Sequence, residues 1–132
     1  NVTYAGKAFT IKAAGGAEVS FDMSAAVAIH NAKVTFENVT FNYKTNKDYI
    51  GLQHADTLVY NGCTVKGKAF LYASSETFNN CQFVQTVEDY NLWTYGAKKV
   101  VFNSCTFECV GKAIRRSMYI LKRVTQAMSP SR

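Results

Sequence analysis

Arginine is missing from the first 111 residues of this 132-residue chain. That stretch carries nine lysines against nine acidic residues, and Lys112, Arg115, Arg116, Lys122, Arg123 and Arg132 supply the whole excess behind the formal net charge of +6. A nucleic-acid surface would spread a basic stripe with interleaved aromatics over the folded face. A balanced body with its excess confined to one end argues against a nucleic-acid partner. No uninterrupted apolar run reaches about 18 residues, so nothing reads as a membrane-spanning helix. The chain opens at Asn1 with neither a Met nor a signal-peptide pattern, and reads as processed or excised from a longer protein. The four cysteines form no Cys-x-x-Cys pair and have no His neighbour of the kind zinc favours. No metal or cofactor is expected.

What the chain does have is repetition. Val34–Phe41 (VTFENVTF), Leu58–Val65 (LVYNGCTV), Glu76–Phe83 (ETFNNCQF) and Val100–Phe107 (VVFNSCTF) are four copies of one pattern, with the aromatic at Phe36, Tyr60, Phe78 and Phe102 and spacings of 24, 18 and 24 residues. Such periods mark units that cannot bury an apolar face alone and form a core by stacking. Within a copy, apolar residues fall at Val34 and Phe36, then at Val39 and Phe41. The period of two breaks once and resumes, as two short strands meeting at a bend would require. The bends hold Asn38, Asn61, Gly62, Asn79, Asn80, Asn103 and Ser104, types that tolerate left-handed conformations. Stacking should align them as an asparagine ladder.

Three interior columns follow: Phe36, Tyr60, Phe78 and Phe102; Val39, Cys63, Cys81 and Cys105; and Phe41, Val65, Phe83 and Phe107. The cysteines read as small hydrophobes beneath the bend, stacked at roughly 4.8 Å. Parallel side chains pointing one way converge poorly for a disulfide. Glu76 is the misfit, because it holds the position of Val34, Leu58 and Val100. It should either turn outward or meet a buried partner.

Repeats of the form aromatic-x-Asn-Cys-x-Phe with varying loops between them resemble the right-handed parallel β-helix of the pectate-lyase-like superfamily, over roughly Lys33–Phe107. The resemblance implies an all-β solenoid of about five rungs in residues 1–111, and an extracellular or cell-surface setting for a non-catalytic, adhesin-like module. Fold and activity are separate questions on such a scaffold.

Before the first copy, Ala8–Lys12, Val19–Met23 and Ala25–Ile29 read as an irregular first coil. Later third strands lie near Tyr49–Gln53, Ala69–Ala73 and Asn91–Tyr95. Counting ten residues back from each repeat aromatic aligns Ile50, Lys68 and Leu92, which puts six extra residues between Phe41 and Ile50 and six between Phe83 and Leu92. Loops 42–49 and 84–91 should therefore leave one corner two rungs apart, with a groove of about 9–10 Å between them floored by the short rung. Its expected lining is Tyr43, Lys44, Tyr49 and Tyr90, with Trp93 nearby and Asp48, Glu88 and Asp89 as polar partners. Rings beside carboxylates and amides suit sugars. A glycan or a surface protein is the expected partner, and two loops merely packing on one another is the bland alternative.

A carbohydrate-active enzyme is a second reading. Lyases and hydrolases of this fold would need a calcium-binding aspartate cluster with a basic residue, or paired carboxylates about 5–9.5 Å apart. The body has no arginine, and its only adjacent acidic pair, Glu88–Asp89, sits in a loop, so no catalytic residue is assigned. His30 and His54 each precede a repeat aromatic by six residues and should stack. A purely structural spacer is a third reading. Residues 112–132 break the pattern. Ile114, Met118, Leu121, Thr125 and Met128 share one helical face, suited to capping the open solenoid end, which could otherwise associate edge to edge. The same tail also fits a degenerate rung through Tyr119, Leu121 and Val124, or a segment foreign to the fold.

Overall fold

The computed structural model describes residues 2–3, 7–15 and 17–108. The tail, with its capping-helix and degenerate-rung readings, and Cys109 lie outside the described residues. In chain order the strands are β1 (Val2–Thr3), β2 (Ala8–Lys12), β3 (Val19–Met23), β4 (Ala26–His30), β5 (Lys33–Glu37), β6 (Val39–Tyr43), β7 (Gly51–Asn61), β8 (Thr64–Gly67), β9 (Ala69–Asn79), β10 (Gln82–Val84), β11 (Leu92–Tyr95), β12 (Lys99–Asn103) and β13 (Thr106–Glu108). Every pairing among them is parallel. The result is an all-β parallel solenoid of about four turns, with three sides to each coil. Side one stacks β2, β5, the end of β7, the end of β9 and β12. Side two stacks β3, β6, β8, β10 and β13. Side three stacks β1, β4, the start of β7, the start of β9 and β11. No helix occurs among the described residues, and none there is long and apolar enough to cross a membrane.

The repeat creates this register because equivalent residues land on one another. Phe36, Tyr60, Phe78 and Phe102 form one stack, with successive ring centroids 5.1, 4.8 and 5.2 Å apart. Phe41, Phe83 and Phe107 meet that stack edge-on across the bend. The Val39, Cys63, Cys81 and Cys105 column and the Phe41, Val65, Phe83 and Phe107 column are buried as the pattern requires. In the first coil Phe9, Ile11, Val19, Phe21 and Met23 are only partly covered and pack against the end of the core.

The bend residues divide their work between two positions. Asn38, Gly62, Asn80 and Ser104 take positive φ values of 55–63° and turn the chain. Asn61, Asn79 and Asn103, one residue earlier, build the ladder: the Asn79 amide donates to Asn61 Oδ1 at 2.8 Å and that of Asn103 to Asn79 Oδ1 at 2.7 Å. Because left-handed φ is tolerable for Gly and Asn and costly for branched residues, the bend excludes most of the alphabet at that position.

Glu76 does neither of the things expected of it. Its side chain points into the solenoid, is 0 % exposed, and neither carboxylate oxygen has a hydrogen-bond partner among the described residues. The Tyr60 hydroxyl is buried and equally unpartnered. Burial drives the Glu76 pKa well above its usual range, only weakly opposed by the Ala73 backbone. The acid is therefore neutral inside the protein and ionised in the unfolded chain near neutral pH. The unfolded state then binds fewer protons than the native one, so stability declines as pH rises from the unfolded carboxyl pKa toward the folded one.

Two outcomes follow from this packing. Phe78→Ala should lower unfolding free energy by about 3–5 kcal/mol, as expected for a fully buried ring; a chemical-denaturation loss under about 1 kcal/mol would show the column to be wrong. Glu76→Leu, matching Leu58 on the rung below, should raise stability at neutral pH by about 1–3 kcal/mol by removing an unsatisfied buried polar group. It should also flatten the decline as pH rises above the unfolded carboxyl pKa. Denaturation midpoints across that range would reveal a wild type already flat, which would mean that Glu76 is solvated.

Candidate functional site

The inserted loops do meet at one corner, and a lysine fills the space between them. The sequence count aligned Lys68 with Ile50 and Leu92, but Leu92 pairs with Ala69. The difference is one residue in each long coil: His54, at φ 66°, is extra where the register shifts between Gln53 and Ala55, and another extra residue lies between Tyr95 and Lys99, which pair with Tyr72 and Ser75. One of the six extra residues of each long coil is thus spent outside the corner and five in the corner loop. Lys68 consequently belongs at the loop level, directly after Gly67. Gly67 has φ +105°, and a Cβ there would lie 2.2 Å from the Tyr43 carbonyl oxygen, so this short corner admits only glycine.

Lys68 is 6 % exposed and its ammonium is fully engaged. Nζ lies 3.0 Å from Asp48 Oδ1 of the first loop and 2.9 Å from Asp89 Oδ2 of the second. It also donates to the Asn46 carbonyl at 3.0 Å and sits 4.9 Å from the centre of the Tyr90 ring. The Tyr90 hydroxyl donates to Asp48 Oδ1 at 2.9 Å. Asn91 ties the second loop to the short rung by donating to the carbonyls of Gly67 at 2.7 Å and Val84 at 3.1 Å. The Gln85 amide donates to the Asp89 carbonyl. Burial by itself would lower the Lys68 pKa, but the Asp89 and Asp48 carboxylates outweigh it and hold it raised. Hydrogen bonds from Lys68 first, then Tyr90, hold Asp48 below the usual carboxylate range. Burial pushes the Tyr90 phenol up, and the Asp48 carboxylate adds to the rise. The corner is a clamp in its charged form.

The expected groove lining is therefore split. Tyr43 is 6 % exposed, because the period of two that buries Val39 and Phe41 also turns Tyr43 inward. Its phenol is raised by burial and by Glu76, and little of its ring reaches the surface. Lys44 pairs with Asp22 at 3.1 Å, on side two. Tyr90 is 3 % exposed beneath the clamp. Asp48 and Asp89 serve Lys68, and Glu88 is exposed on the turn. What remains between the loops is a cleft of about 320 Å³ lined by Asn42, Tyr43, Lys44, Asn46, Lys66 and Thr86, so two of the expected residues, Tyr43 and Lys44, do border it.

Tyr49 and Trp93 belong to a different surface, the outer face of side three. Tyr49 is 56 % exposed and meets Phe70 at 5.2 Å and Trp93 at 5.7 Å. Trp93 stands against Phe70 at 5.0 Å, with its underside on Tyr90 at 5.3 Å. The array continues through Tyr95, 48 % exposed, to Tyr72 at 5.0 Å and His54, whose ring stacks on His30 at 4.9 Å and 13°. Sequence reasoning missed Phe70, Tyr72 and Tyr95. Their signal was parity: Phe70 and Tyr72 alternate along β9 as Trp93 and Tyr95 do along β11, and the parallel register sets each pair side by side. Among the described residues no group of three or more His, Cys, Asp or Glu side chains converges on one point.

No family model matches this chain, and comparison with curated proteins and with solved structures likewise gives no significant match.

Lys68→Met should remove the shared cation from between Asp48 and Asp89. Because both carboxylates remain about half exposed, the expected loss is modest, about 1–2 kcal/mol, with faster amide exchange confined to residues 44–49 and 86–91. Asp48 also sets the direction with pH: its contribution is complete above the unfolded carboxyl pKa and is lost as pH falls through the depressed folded value. Unchanged exchange in both loops of the variant would show that Lys68 does not hold them.

Proposed function

We propose that this chain is a non-catalytic β-solenoid module of a secreted or cell-surface protein, binding carbohydrate on the outer aromatic face of side three. The supporting observation is the continuous array of Tyr49, Trp93, Tyr95 and Tyr72, two of whose rings are about half exposed. Trp93 and Tyr95 lie 6.4 Å apart and nearly perpendicular, so the face is a stepped ridge. Sugar C–H faces pack on such rings while the hydroxyls require hydrogen bonds, and Gln53, which donates to the Tyr49 carbonyl, and His54, beside Tyr72, border the array. The secreted setting and the pectate-lyase-like, right-handed branch of the fold rest on the resemblance carried by the repeats at Lys33–Phe107.

The non-catalytic part of the reading rests on the clamp. Asp48 and Asp89 are brought together by one ammonium. Glycoside hydrolysis needs one such group to carry a proton, whereas Asp48 is held ionised.

Tyr49→Ala combined with Tyr95→Ala tests the reading on a glycan array and by affinity electrophoresis against soluble polysaccharides. Expected is loss of binding by at least about tenfold, with the thermal midpoint kept within a few degrees, as for exposed side chains. Undiminished binding by the double variant would place the site elsewhere. A wild type retaining no glycan would leave the module a spacer, and release of reducing ends or unsaturated products would make it an enzyme.

A further inference from the structure

Asparagine followed two residues later by Ser or Thr, with no Pro between them, is the acceptor triplet of N-linked glycosylation. Among the asparagines of this chain only Asn1 (Asn1-Val2-Thr3) and Asn38 (Asn38-Val39-Thr40) meet that pattern. Asn1 lies outside the described residues. Asn38 is the turning residue of the bend between β5 and β6, at φ 59°, and is exposed. Thr40 follows on β6, where Val39 and Phe41 are buried and alternation turns Thr40 outward. Both members of the triplet line one surface cleft of about 410 Å³, shared with Glu18, Ser20 and Asn42.

The bend leaves the Asn38 side chain available. Ladder asparagines are committed, since the amides of Asn79 and Asn103 donate to the preceding rung, and a sugar on either nitrogen would crowd the stack. Asn38 sits one position later in its bend than those residues do in theirs, and its carboxamide makes no hydrogen bond among the described residues. Gly62 occupies the equivalent place on the next rung, where a Cβ would come within 2.6 Å of Asn38 Oδ1 and 3.7 Å of its Cγ. The oxygen therefore faces Gly62, and the nitrogen is turned away from that rung. Asparagine here serves the left-handed bend with its backbone, a conformation few residue types accept. Its nitrogen stays free to be modified.

We propose that Asn38 is an N-glycosylation site, accepting a preassembled oligosaccharide from a polyprenyl diphosphate carrier. This rests on the secreted setting proposed above and is independent of what side three binds. The Asn38 nitrogen attacks the anomeric carbon of the first sugar and forms a C–N bond. The bond from that carbon to the diphosphate oxygen breaks, its electron pair leaves with the polyprenyl diphosphate, and the amide gives up one proton. Nothing is oxidised or reduced. The product is a bulky, solubilising group at the surface. The corner that carries Asn38 joins side one to side two, whereas side three is bounded by the other two corners, so a glycan there leaves the exposed rings clear.

Trypsin cuts after Lys7, Lys33 and Lys44, so Asn1 and Asn38 fall on different peptides and the full chain can be read without substitution. In chain isolated from the cell that makes it, mass spectrometry should find peptide 34–44 carrying a sugar mass that peptide-N-glycosidase removes, leaving aspartate in place of Asn38. In a eukaryotic secretion host, Asn38→Gln and Thr40→Ala should each abolish that mass, whereas Thr40→Ser should keep it. Thr40→Ala leaves the bend residue untouched, and so separates loss of the acceptor from loss of the fold. Secreted chain bare at Asn38 would overturn the site and leave the secreted setting standing. Chain held inside its cell would overturn both. Sugar retained on peptide 34–44 by Thr40→Ala would show that this triplet does not direct the modification, and would overturn the proposal as well.

Discussion

One translation governs this molecule. Parallel pairing repeats each rung on the next at about 4.8 Å, so a side chain meets its equivalent before it meets anything else. Aromatic rings stack, asparagine amides donate to the next asparagine, and thiols line up beneath them. Like-on-like contact is favourable for apolar groups and self-complementary amides. It is unfavourable for like charges, which explains why the interior columns carry almost none. Glu76 is the exception, and remains only by keeping its proton.

The same translation makes chain length at the corners the free variable. A rung that follows the repeat economically turns at Gly67, whereas its neighbours above and below carry loops 42–49 and 84–91. Two loops extending past a short rung expose the last residue of that rung to both, and the residue found there is Lys68. A cation at that point neutralises one carboxylate from each loop and packs against a tyrosine ring. The arrangement explains why these loops are structured without strands of their own. It also explains why the exposed aromatics lie beside the corner on side three instead of inside it.

Surface and interior thus present different chemistries on one scaffold. Outside, side three offers a stepped row of rings bordered by hydrogen-bonding groups, a surface for a ligand with both apolar faces and hydroxyls. Inside, a column of buried thiols beneath the left-handed bends donates to backbone carbonyls. Neither feature depends on the other, since alternate residues along a strand face opposite ways.

The sequence by itself determined the architecture. The break in the period of two at each bend, the 24, 18 and 24 spacing and the asparagines were enough to define sides, stacks and ladder, because each is a local signal repeated in register. It also placed both insertions at one corner and His30 over His54. Only the tertiary structure decided where Tyr43 pointed, that Lys68 would fill the space between the loops, and that Glu76 would sit inside without a partner. It alone joined Tyr49 and Trp93 to Phe70, Tyr72 and Tyr95. The physical reason is one residue on either side: the bulge at His54 and an extra residue between Tyr95 and Lys99 shift the short rung by one position against its two neighbours. Counting along the chain cannot tell an extra residue absorbed in a strand from one added to a loop. That one-residue shift separates a lysine in an apolar column from a lysine between two aspartates.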